Sequence, residues 1–255
     1  MLPGRGVAGT AIGAPWPPGI TRIWFIVTLR SVRRFVVTIS SADLANLKIT
    51  PPANSSADFT LSVTATATES SSGDTEAVSA NLSVVVNGVA DVPSVTVVAA
   101  TGAEDTAISL GSITTTFADT DGSEAVTAIT ISGIPAGATL TGGSNNASIT
   151  VTNGEAVLTP AQLTNLKITP PANSDADFNL TVKTTVSEDG TSATSAGATL
   201  SVTVTGVADT PTVNVSPAQG NEDTAISLNI GTTLADVDGS ESITAITISG
   251  TPAFW

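Results

Sequence analysis

The sequence of 255 residues contains no cysteine, no histidine and no tyrosine. Without histidine and cysteine, the commonest general base, the thiol nucleophile and the usual transition-metal ligands are missing. A Ser-His-Asp triad and a disulfide scaffold are therefore excluded. The groups that remain in quantity are carboxylates, hydroxyls and backbone carbonyls, which are hard oxygen ligands suited to Ca²⁺ or Mg²⁺.

Basic residues are also scarce. The chain has 8 Lys and Arg against 22 Asp and Glu, which gives a formal net charge of −14. This balance argues against nucleic acid or an anionic membrane surface as a partner. Thr, Ser, Val, Ala, Ile and Gly make up most of the chain, and β-branched residues favour strands, so the composition indicates an all-β protein.

Residues 1–34 differ from the rest because they hold five of the eight basic residues and no acidic one. Their longest apolar run, Ile23–Leu29, is far shorter than the about 20 residues that span a bilayer, so we expect no membrane insertion. The charge also lies mostly after this run, unlike in a secretory signal. We expect an atypical basic leader that is either disordered or foreign to the fold.

The rest of the chain is repetitive. Three motifs each occur twice, 117 to 119 residues apart: LKITPPANS at 47–55 and 166–174, EDTAISL at 104–110 and 222–228, and TAITISG at 127–133 and 244–250. A repeat of about 118 residues has the size of a domain. We predict the C-terminal part of a truncated repeat over 35–92, a complete repeat over 93–210 and the N-terminal part of a truncated repeat over 211–255. The truncated repeats each lack part of a core, so we expect them to be marginal unless they pair with each other or with a neighbour.

Short alternating runs separated by turn residues predict about seven to nine strands in the complete repeat. Asn153-Gly154 lies between two such runs and predicts a hairpin. Thr159 followed by Pro160 predicts the start of a single helical turn. The pattern is typical of an immunoglobulin-like or cadherin-like β-sandwich, repeated in tandem.

Several motifs over about residues 35–255 resemble the tandem extender repeats of large bacterial surface adhesins, the repeats-in-toxin-type proteins exported by type I secretion. The motifs that carry the resemblance are EDTAISL, ADTDGSEAVTAITISGIPAGATL, LTPAQLTNLKITPPANSDADFNLTV and GVADTP. The resemblance implies an extracellular rod of β-sandwich domains at the bacterial surface, stiffened by Ca²⁺. Its partners would be neighbouring repeats of the same chain, and the adhesion target would bind elsewhere.

Carboxylates recur at the same places in successive repeats. Asp119, Asp121 and Glu124 return as Asp236, Asp238 and Glu241, Glu104 and Asp105 return as Glu222 and Asp223, and Asp91 returns as Asp209. Like charges at short range cost stability, and a divalent cation reverses that cost. The D-x-D-G-x-E spacing is not that of an EF-hand loop, but it offers three carboxylates around a turn. We expect all twelve acids to bind Ca²⁺ at domain ends, with Glu104, Asp105 and Asp91 meeting the loop 119–124.

Other interpretations of the acids stay open. They are ordinary turn residues if the loop is simply solvated, since Asp-Gly and Asp-Ser are common in turns. A carboxylate-pair hydrolase is disfavoured because the same acids repeat in each unit. Glu69 and Glu188 follow predicted strands, where we expect solvated strand ends, the alternative being membership of an inter-domain site.

The leading functional hypothesis is a structural extender rather than an enzyme. A ligand- or glycan-binding module is the second, but sugar platforms usually need exposed aromatic residues and the repeats offer only Phe59, Phe117 and Phe178. An accessory region of a secreted hydrolase is the third, although the sequence supplies no nucleophile with its base.

Overall fold

Strands make up nearly all of the regular structure in the computed structural model of the chain. Within the described ranges there are two helices, both short 3₁₀ helices, at Ser41–Asn46 and Pro160–Leu163. The prediction of an all-β chain is therefore confirmed. The described residues are 23–24, 36–119, 121–236 and 238–250. The predicted leader, residues 1–34, lies outside them except for Ile23–Trp24.

The strands are numbered here in chain order. They are β1 (Ile23–Trp24), β2 (Ile49–Thr50), β3 (Phe59–Thr68), β4 (Thr75–Val84), β5 (Ser94–Val97), β6 (Ala100–Ala103), β7 (Ile108–Ser109), β8 (Ile113–Thr116), β9 (Ala125–Ser132), β10 (Thr139–Gly142), β11 (Ala147–Ile149), β12 (Glu155–Leu158), β13 (Lys167–Thr169), β14 (Phe178–Glu188), β15 (Thr191–Thr194), β16 (Ala198–Thr205), β17 (Thr212–Ser216) and β18 (Asn229–Thr233).

The chain forms two units, residues 1–55 and 56–255. In the first unit, β1 lies parallel to β2, with Ile23 opposite Ile49. The second unit contains strands β3 to β18. The repeat boundaries proposed from the sequence stay predictions.

Two sheets dominate the second unit. One has four strands in the order β11-β10-β13-β7, and the other has six, in the order β12-β9-β14-β16-β6 with β15 beside β14. Neighbouring strands are antiparallel except for β16 and β6, which run parallel. Buried side chains from both sheets form one hydrophobic cluster, so the arrangement is sandwich-like.

The core follows from the period of two along each strand. In β14, Leu180, Val182 and Val186 are fully buried on one face. Lys183, on the opposite face, is exposed. Successive side chains of a strand point to opposite faces, so the alternation in the sequence becomes one apolar face and one polar face.

The buried hydrophobic residues of the described chain all lie between Ala100 and Val204. Equivalent residues in the flanking segments are exposed. Val63 is 49% exposed where Val182 is 0% exposed, and Ile248 is 57% exposed where Ile131 is 0% exposed. Residues 241–250 repeat the sequence of β9 but form no strand.

One local prediction needs correction. Residues 94–205 contain twelve strands, more than seven to nine. Two alternating runs are each divided, one into β5 and β6 and the other into β7 and β8, the second at Gly111, which has a φ of 65°.

Asn153 and Gly154 form the predicted two-residue hairpin turn, with φ values of 51° and 75°. Thr152 and Glu155 close it as an antiparallel pair, each donating its N–H to the carbonyl of the other, at 2.8 and 3.0 Å. The pairing ends there, because β11 before the turn pairs with β10 and β12 after it pairs with β9.

The predicted helical turn is confirmed as the 3₁₀ helix Pro160–Leu163. Its start is fixed by the backbone N–H of Thr159, which donates to Gln162 Oε1 at 2.8 Å. Within the described ranges there is no helix with the length and apolar character needed to cross a bilayer.

The alternating burial predicts how two valines of the central sheets respond to truncation. Val182→Ala should lower the free energy of unfolding by about 2–3 kcal/mol, because it removes two buried methyl groups and leaves a cavity. Val157→Ala is the matched control, since Val157 is 62% exposed, and it should cost ~0.5 kcal/mol or less. Urea unfolding of both variants tests this, and equal losses would contradict the burial pattern.

Candidate metal centres

Acidic side chains gather at two places in the second unit. The first cluster consists of Asp119, Asp121 and Glu188, whose carboxylate oxygens lie within 4.8 Å of one another. The first two residues come from the loop between β8 and β9, and Glu188 is the last residue of β14. Three carboxylates at this separation repel one another unless positive charge or protons compensate them.

The loop that carries Asp119 and Asp121 is a turn stabilised by its own carboxylates. The N–H of Asp121 donates to Asp119 Oδ1, and the N–H of Ser123 donates to Asp121 Oδ1, both at 2.9 Å. Gly122 between them has a φ of 86°, which glycine adopts without strain. The predicted turn chemistry is therefore present.

Asp121 is held in its charged form by several donors. The Ser123 hydroxyl is the strongest influence, and the backbone N–H groups of Ser56 and Ser123 add to it, so the pKa of Asp121 lies well below its ordinary value. The Ser56 N–H donates to Asp121 Oδ2 at 2.8 Å. Hydrogen bonds to the ionised form favour that form.

Glu188 was expected to be a solvated strand end, and for this residue the expectation is wrong. Its side chain is 4% exposed, and neither carboxylate oxygen has a hydrogen-bond partner among the described residues. The cause is Gly88, which packs so tightly on the carboxylate that an added Cβ would collide with it. Glu69, the equivalent residue of the preceding repeat, is exposed as expected.

The segment Gly88–Asp91, here called the first linker, is fixed by its backbone donors. Gly88 N–H donates to Asp189 Oδ2 at 2.8 Å, and Asp91 N–H donates to Glu124 Oε1 at 2.5 Å. The other oxygen of Glu124 is buried and has no hydrogen-bond partner in the described part of the chain. The backbone of Asp91 is therefore bound to Glu124, the last residue of the loop 119–124, and their shared binding of Ca²⁺ stays a prediction.

The second cluster lies around Gly206–Asp209, here called the second linker. It is looser than the first, because no three of its carboxylates lie within 4.8 Å of one another among the described residues. Its residues, joined by backbone hydrogen bonds or bordering the second linker, are Glu104, Asp175, Asp209, Asp236, Asp238 and Glu241. The bonds of the first loop recur: Asp238 N–H donates to Asp236 Oδ1, and Ser240 N–H donates to Asp238 Oδ1, both at 2.9 Å. The N–H of Asp209 donates to Glu241 Oε1, as that of Asp91 does to Glu124.

Glu104 and Asp236 are the two buried acids of the second cluster, and Glu104 borders the linker. Glu104 is 2% exposed, and its Oε1 accepts the N–H of Val207 at 2.6 Å, whereas its Oε2 has no hydrogen-bond partner among the described residues. A Cβ at Gly206 would lie 3.7 Å from Glu104 Oε1 and 3.3 Å from Asp175 Oδ2. Two carboxylates therefore border the second linker.

Asp175 and Asp238 respond to their surroundings in opposite ways. Partial burial, followed by the negative charge of Asp238, raises the pKa of Asp175. Hydrogen bonds from Ser240, the backbone N–H first, lower the pKa of Asp238. The charge of Asp175 is thus poorly compensated.

Glu104 and Asp105 do not join the loop 119–124, contrary to expectation. That loop precedes β9, whose first residue pairs with Ser187 at one end of β14. Glu104 follows β6, which lies beside β16 at the Phe178 end of β14. The eleven residues of β14 separate the two ends by about 33 Å. Glu104 is instead beside the second linker, because β6 and the last residues of β16 are parallel neighbours.

The remaining predicted residues contribute in different ways. Asp105 Oδ1 accepts the N–H of Asn173 at 2.9 Å, and the Asn173 amide donates to the carbonyl of Ala235 at 2.9 Å. Asp105 therefore supports the contact with the segment after the second linker. Glu222 and Asp223 are exposed.

Sequence reasoning missed two residues of these clusters. Glu188 was a weaker candidate because a strand end is usually wet, and its equivalence with Glu69 was the available signal. Asp175 gave no repeat signal, since Ser56 occupies the equivalent position of the preceding repeat. Ser56 and Asp175 make equivalent contacts. The N–H of Ser56 donates to Asp121 Oδ2 at 2.8 Å, and that of Asp175 donates to Asp238 Oδ2 at 3.3 Å.

A glycan site would need exposed aromatic side chains or a polar cleft, and the described residues offer little of either. Phe59, Phe117 and Phe178 are all half-buried, and Phe178 packs against the core. A shallow cleft is lined by Gly111, Ser112, Ile113, Leu163 and Leu166. None of these five side chains is aromatic or charged.

The opposite pKa shifts predict an order of titration in the metal-free protein. The carboxyl group of Asp175 should have a pKa above the ordinary aspartate value of 3.8, and those of Asp121 and Asp238 should have pKa values below it. Nuclear magnetic resonance of the carboxyl carbons measures this directly. The reverse order would show that the contacts at the two loops are not formed in solution.

The same shifts give opposite effects of pH on two variants. At about pH 7, Asp121→Asn should lower stability, because a depressed pKa stabilises the fold above pH ~4, and this loss should shrink as the pH falls below that value. Asp175→Asn should raise stability at about pH 7, because a raised pKa destabilises the charged fold, and this gain should vanish below pH ~4.

The sequence and the structure were also compared with known proteins. No protein-family model matches the sequence, and no curated protein or solved structure matches the chain.

Proposed function

We propose that this chain is a stalk segment of a secreted bacterial surface adhesin, in which tandem immunoglobulin-like or cadherin-like sandwiches are held end to end by Ca²⁺ bound at their linkers. Its role is mechanical and not enzymatic. Its partners are neighbouring repeats, and the adhesion target binds outside these repeats.

The observation that carries the metal part of the proposal is the buried Glu188 carboxylate. It faces Asp119 and Asp121, and both of its oxygens lack a hydrogen-bond partner among the described residues. Burying a charged group without compensation is costly. A cation coordinated by the three carboxylates would supply that compensation.

The donor set fits a hard divalent cation. The first cluster presents carboxylate oxygens, and the sequence has no histidine or cysteine for a softer metal. Ca²⁺ accepts six to eight oxygens in flexible geometries, including backbone carbonyls such as those of a linker. Mg²⁺ demands a stricter octahedron and keeps more of its water. These preferences favour Ca²⁺.

The two clusters supply complementary parts of one kind of joint. Gly88 and Gly206 occupy equivalent linker positions. Gly88 lies against Glu188, which belongs to the repeat after the linker, whereas Gly206 lies near Glu104 and Asp175, which belong to the repeat before it. A complete joint would therefore combine acids from both repeats with the linker between them.

Such a joint makes stiffness depend on the cation. Without it, acids from two repeats repel one another across a short linker. With it, the same acids bind one positive centre, and the linker is also held by bonds such as that from Asp91 to Glu124. The cation would supply attraction and orientation, which restrict the angle between successive repeats.

Calcium should therefore stabilise the full chain, and the two clusters should contribute separately. At a concentration about 100 times the Kd, binding to one site adds ~2.7 kcal/mol to the stability of the folded state. Glu188→Gln should remove the share of the first cluster, Glu104→Gln that of the second, and the double variant nearly all of it. Thermal unfolding in Ca²⁺, in Mg²⁺ and in chelator, together with calorimetric titration, measures these shares.

Each variant also has an expected effect without metal. In chelator, Glu188→Gln should raise stability by about 1–4 kcal/mol, because a charge beside two others is removed. The matched control is Glu155→Gln, because Glu155 is an exposed acid of β12. This variant should leave the unfolding temperature unchanged both in Ca²⁺ and in chelator. A wild-type chain that unfolds at the same temperature with and without Ca²⁺ would end the metal proposal.

A further variant tests the difference between the two joints at one position, where the first has Ser56 and the second has Asp175. Ser56→Asp introduces the carboxylate that Asp175 provides at the equivalent position, so it should tighten Ca²⁺ binding at the first cluster and lower stability in chelator. Ser62→Asp is the control, because Ser62 is exposed on β3. Unchanged calcium affinity of Ser56→Asp would show that this position lies outside the coordination sphere.

A further inference from the structure

The sequence contains two Asn-Gly pairs, Asn87-Gly88 and Asn153-Gly154. An asparagine before a glycine is especially prone to deamidation, because glycine has no side chain to keep its backbone nitrogen away from the asparagine amide. Both asparagines are exposed. The two pairs differ in how the backbone around the glycine is held, so the structure distinguishes them.

Asn153-Gly154 is fixed within a closed turn. Thr152 and Glu155 exchange backbone hydrogen bonds of 2.8 and 3.0 Å across it. The carbonyl of Gly154 also accepts the N–H of Ile134, a buried core residue, at 3.0 Å. Deamidation requires the glycine nitrogen to turn onto the asparagine side chain, which would break these bonds. This pair should therefore react when the sandwich itself opens.

Asn87 directly precedes the first linker, which belongs to no strand. The backbone N–H groups of that linker donate to side chains instead of to a neighbouring strand: Gly88 to Asp189, Ala90 to Thr191 and Asp91 to Glu124. A segment held in this way opens locally at a smaller cost in free energy than a packed sheet. The first linker should therefore open more often than the turn at Asn153.

We propose that Asn87 is a deamidation site that reacts when the first linker leaves its place beside β14, and that the product prevents the linker from returning. In the closed linker the N–H of Gly88 is donated to Asp189 at 2.8 Å, which holds the nitrogen away from reaction. In the open linker this nitrogen can reach Cγ of Asn87. The proposal is independent of calcium binding.

The reaction consumes water and releases ammonia. The nitrogen of Gly88 forms a bond to Cγ of Asn87, the bond from Cγ to Nδ2 breaks, and ammonia leaves with the proton that the glycine nitrogen gives up. Water then opens the resulting succinimide ring. Attack of water at Cγ gives aspartate, and attack at the backbone carbonyl carbon gives isoaspartate, in which the main chain runs through Cβ.

Isoaspartate at position 87 does not fit the closed linker. It lengthens the main chain by about 1.5 Å between two N–H groups that are both fixed. That of Val86 donates to Asp58 Oδ1 and that of Gly88 to Asp189 Oδ2, each at 2.8 Å. The extra length cannot be taken up at Gly88, where even an added Cβ would collide with the Glu188 carboxylate.

The change in charge acts in the same direction. Either product adds a negative charge to a segment that contacts Glu188 and Asp189, so like charges repel one another there. The second linker is preceded by Thr205, which has no amide and does not react in this way. Deamidation would therefore release the first linker and leave the second one in place.

Mass spectrometry of peptides from the full chain, incubated in chelator at mildly alkaline pH, tests the site. In the folded chain Asn87 should convert to the acid at least about ten times faster than Asn153, because the linker opens more often than the sandwich. In denaturant the two rates should be similar, since both residues precede glycine. Equal rates in the folded chain, faster conversion of Asn153, or an unreactive Asn87 would overturn the proposal.

Hydrogen exchange tests the consequence for the linker. After conversion to isoaspartate, the N–H groups of Gly88 and Asp91 should exchange at least about ten times faster than before. Asn87→Asp, which adds the charge without lengthening the chain, should have a smaller effect. Asn87→Thr copies the second linker, so it should abolish conversion at this position and leave that of Asn153 unchanged. Unchanged exchange in the isoaspartate form would contradict the release of the linker.

Discussion

The structure around both linkers depends on one constraint, which is that a buried carboxylate needs compensation. Glu188 and Glu104 are almost fully buried, and each has at least one oxygen without a hydrogen-bond partner among the described residues. Gly88 lies directly against the Glu188 carboxylate, and Glu104 accepts the N–H of Val207 in the second linker. A Cβ at Gly88 would collide with the Glu188 carboxylate, whereas a Cβ at Gly206 would be in ordinary contact with that of Glu104. The absence of a side chain at Gly88 therefore lets the first linker cover Glu188.

The sandwich-like core supplies the rigid frame for this arrangement. Strand β14 runs the length of the central sheet and carries Glu188 at one end, while its other end lies near the second linker. Because β14 is packed on one face by fully buried side chains, the two clusters are held at a fixed separation. A shift at one linker cannot be absorbed within the strand, since packed cores deform little.

The fold class and part of the first acidic cluster could be predicted from the sequence, because the repeats show which residues recur at the same spacing. The period-two patterns identified the all-β class, and the recurring acids Asp119 and Asp121 lie together in one cluster. The placement of Glu104 could not be predicted, because it depends on the parallel pairing of β6 with β16, which is a long-range contact. Asp175 was missed because it is not repeated, and Glu188 because burial by a linker leaves no local pattern.

The parallel pairing of β6 and β16 has a consequence for a protein under tension. The chain enters the central sheets through β6 and leaves them through β16, and the two strands point in the same direction. A force that pulls the two ends apart slides one strand along the other, so their hydrogen bonds are loaded together. Strands arranged to unzip would lose the same bonds one at a time at a lower force. A pull along the chain is therefore opposed by all of the hydrogen bonds between β6 and β16 at once.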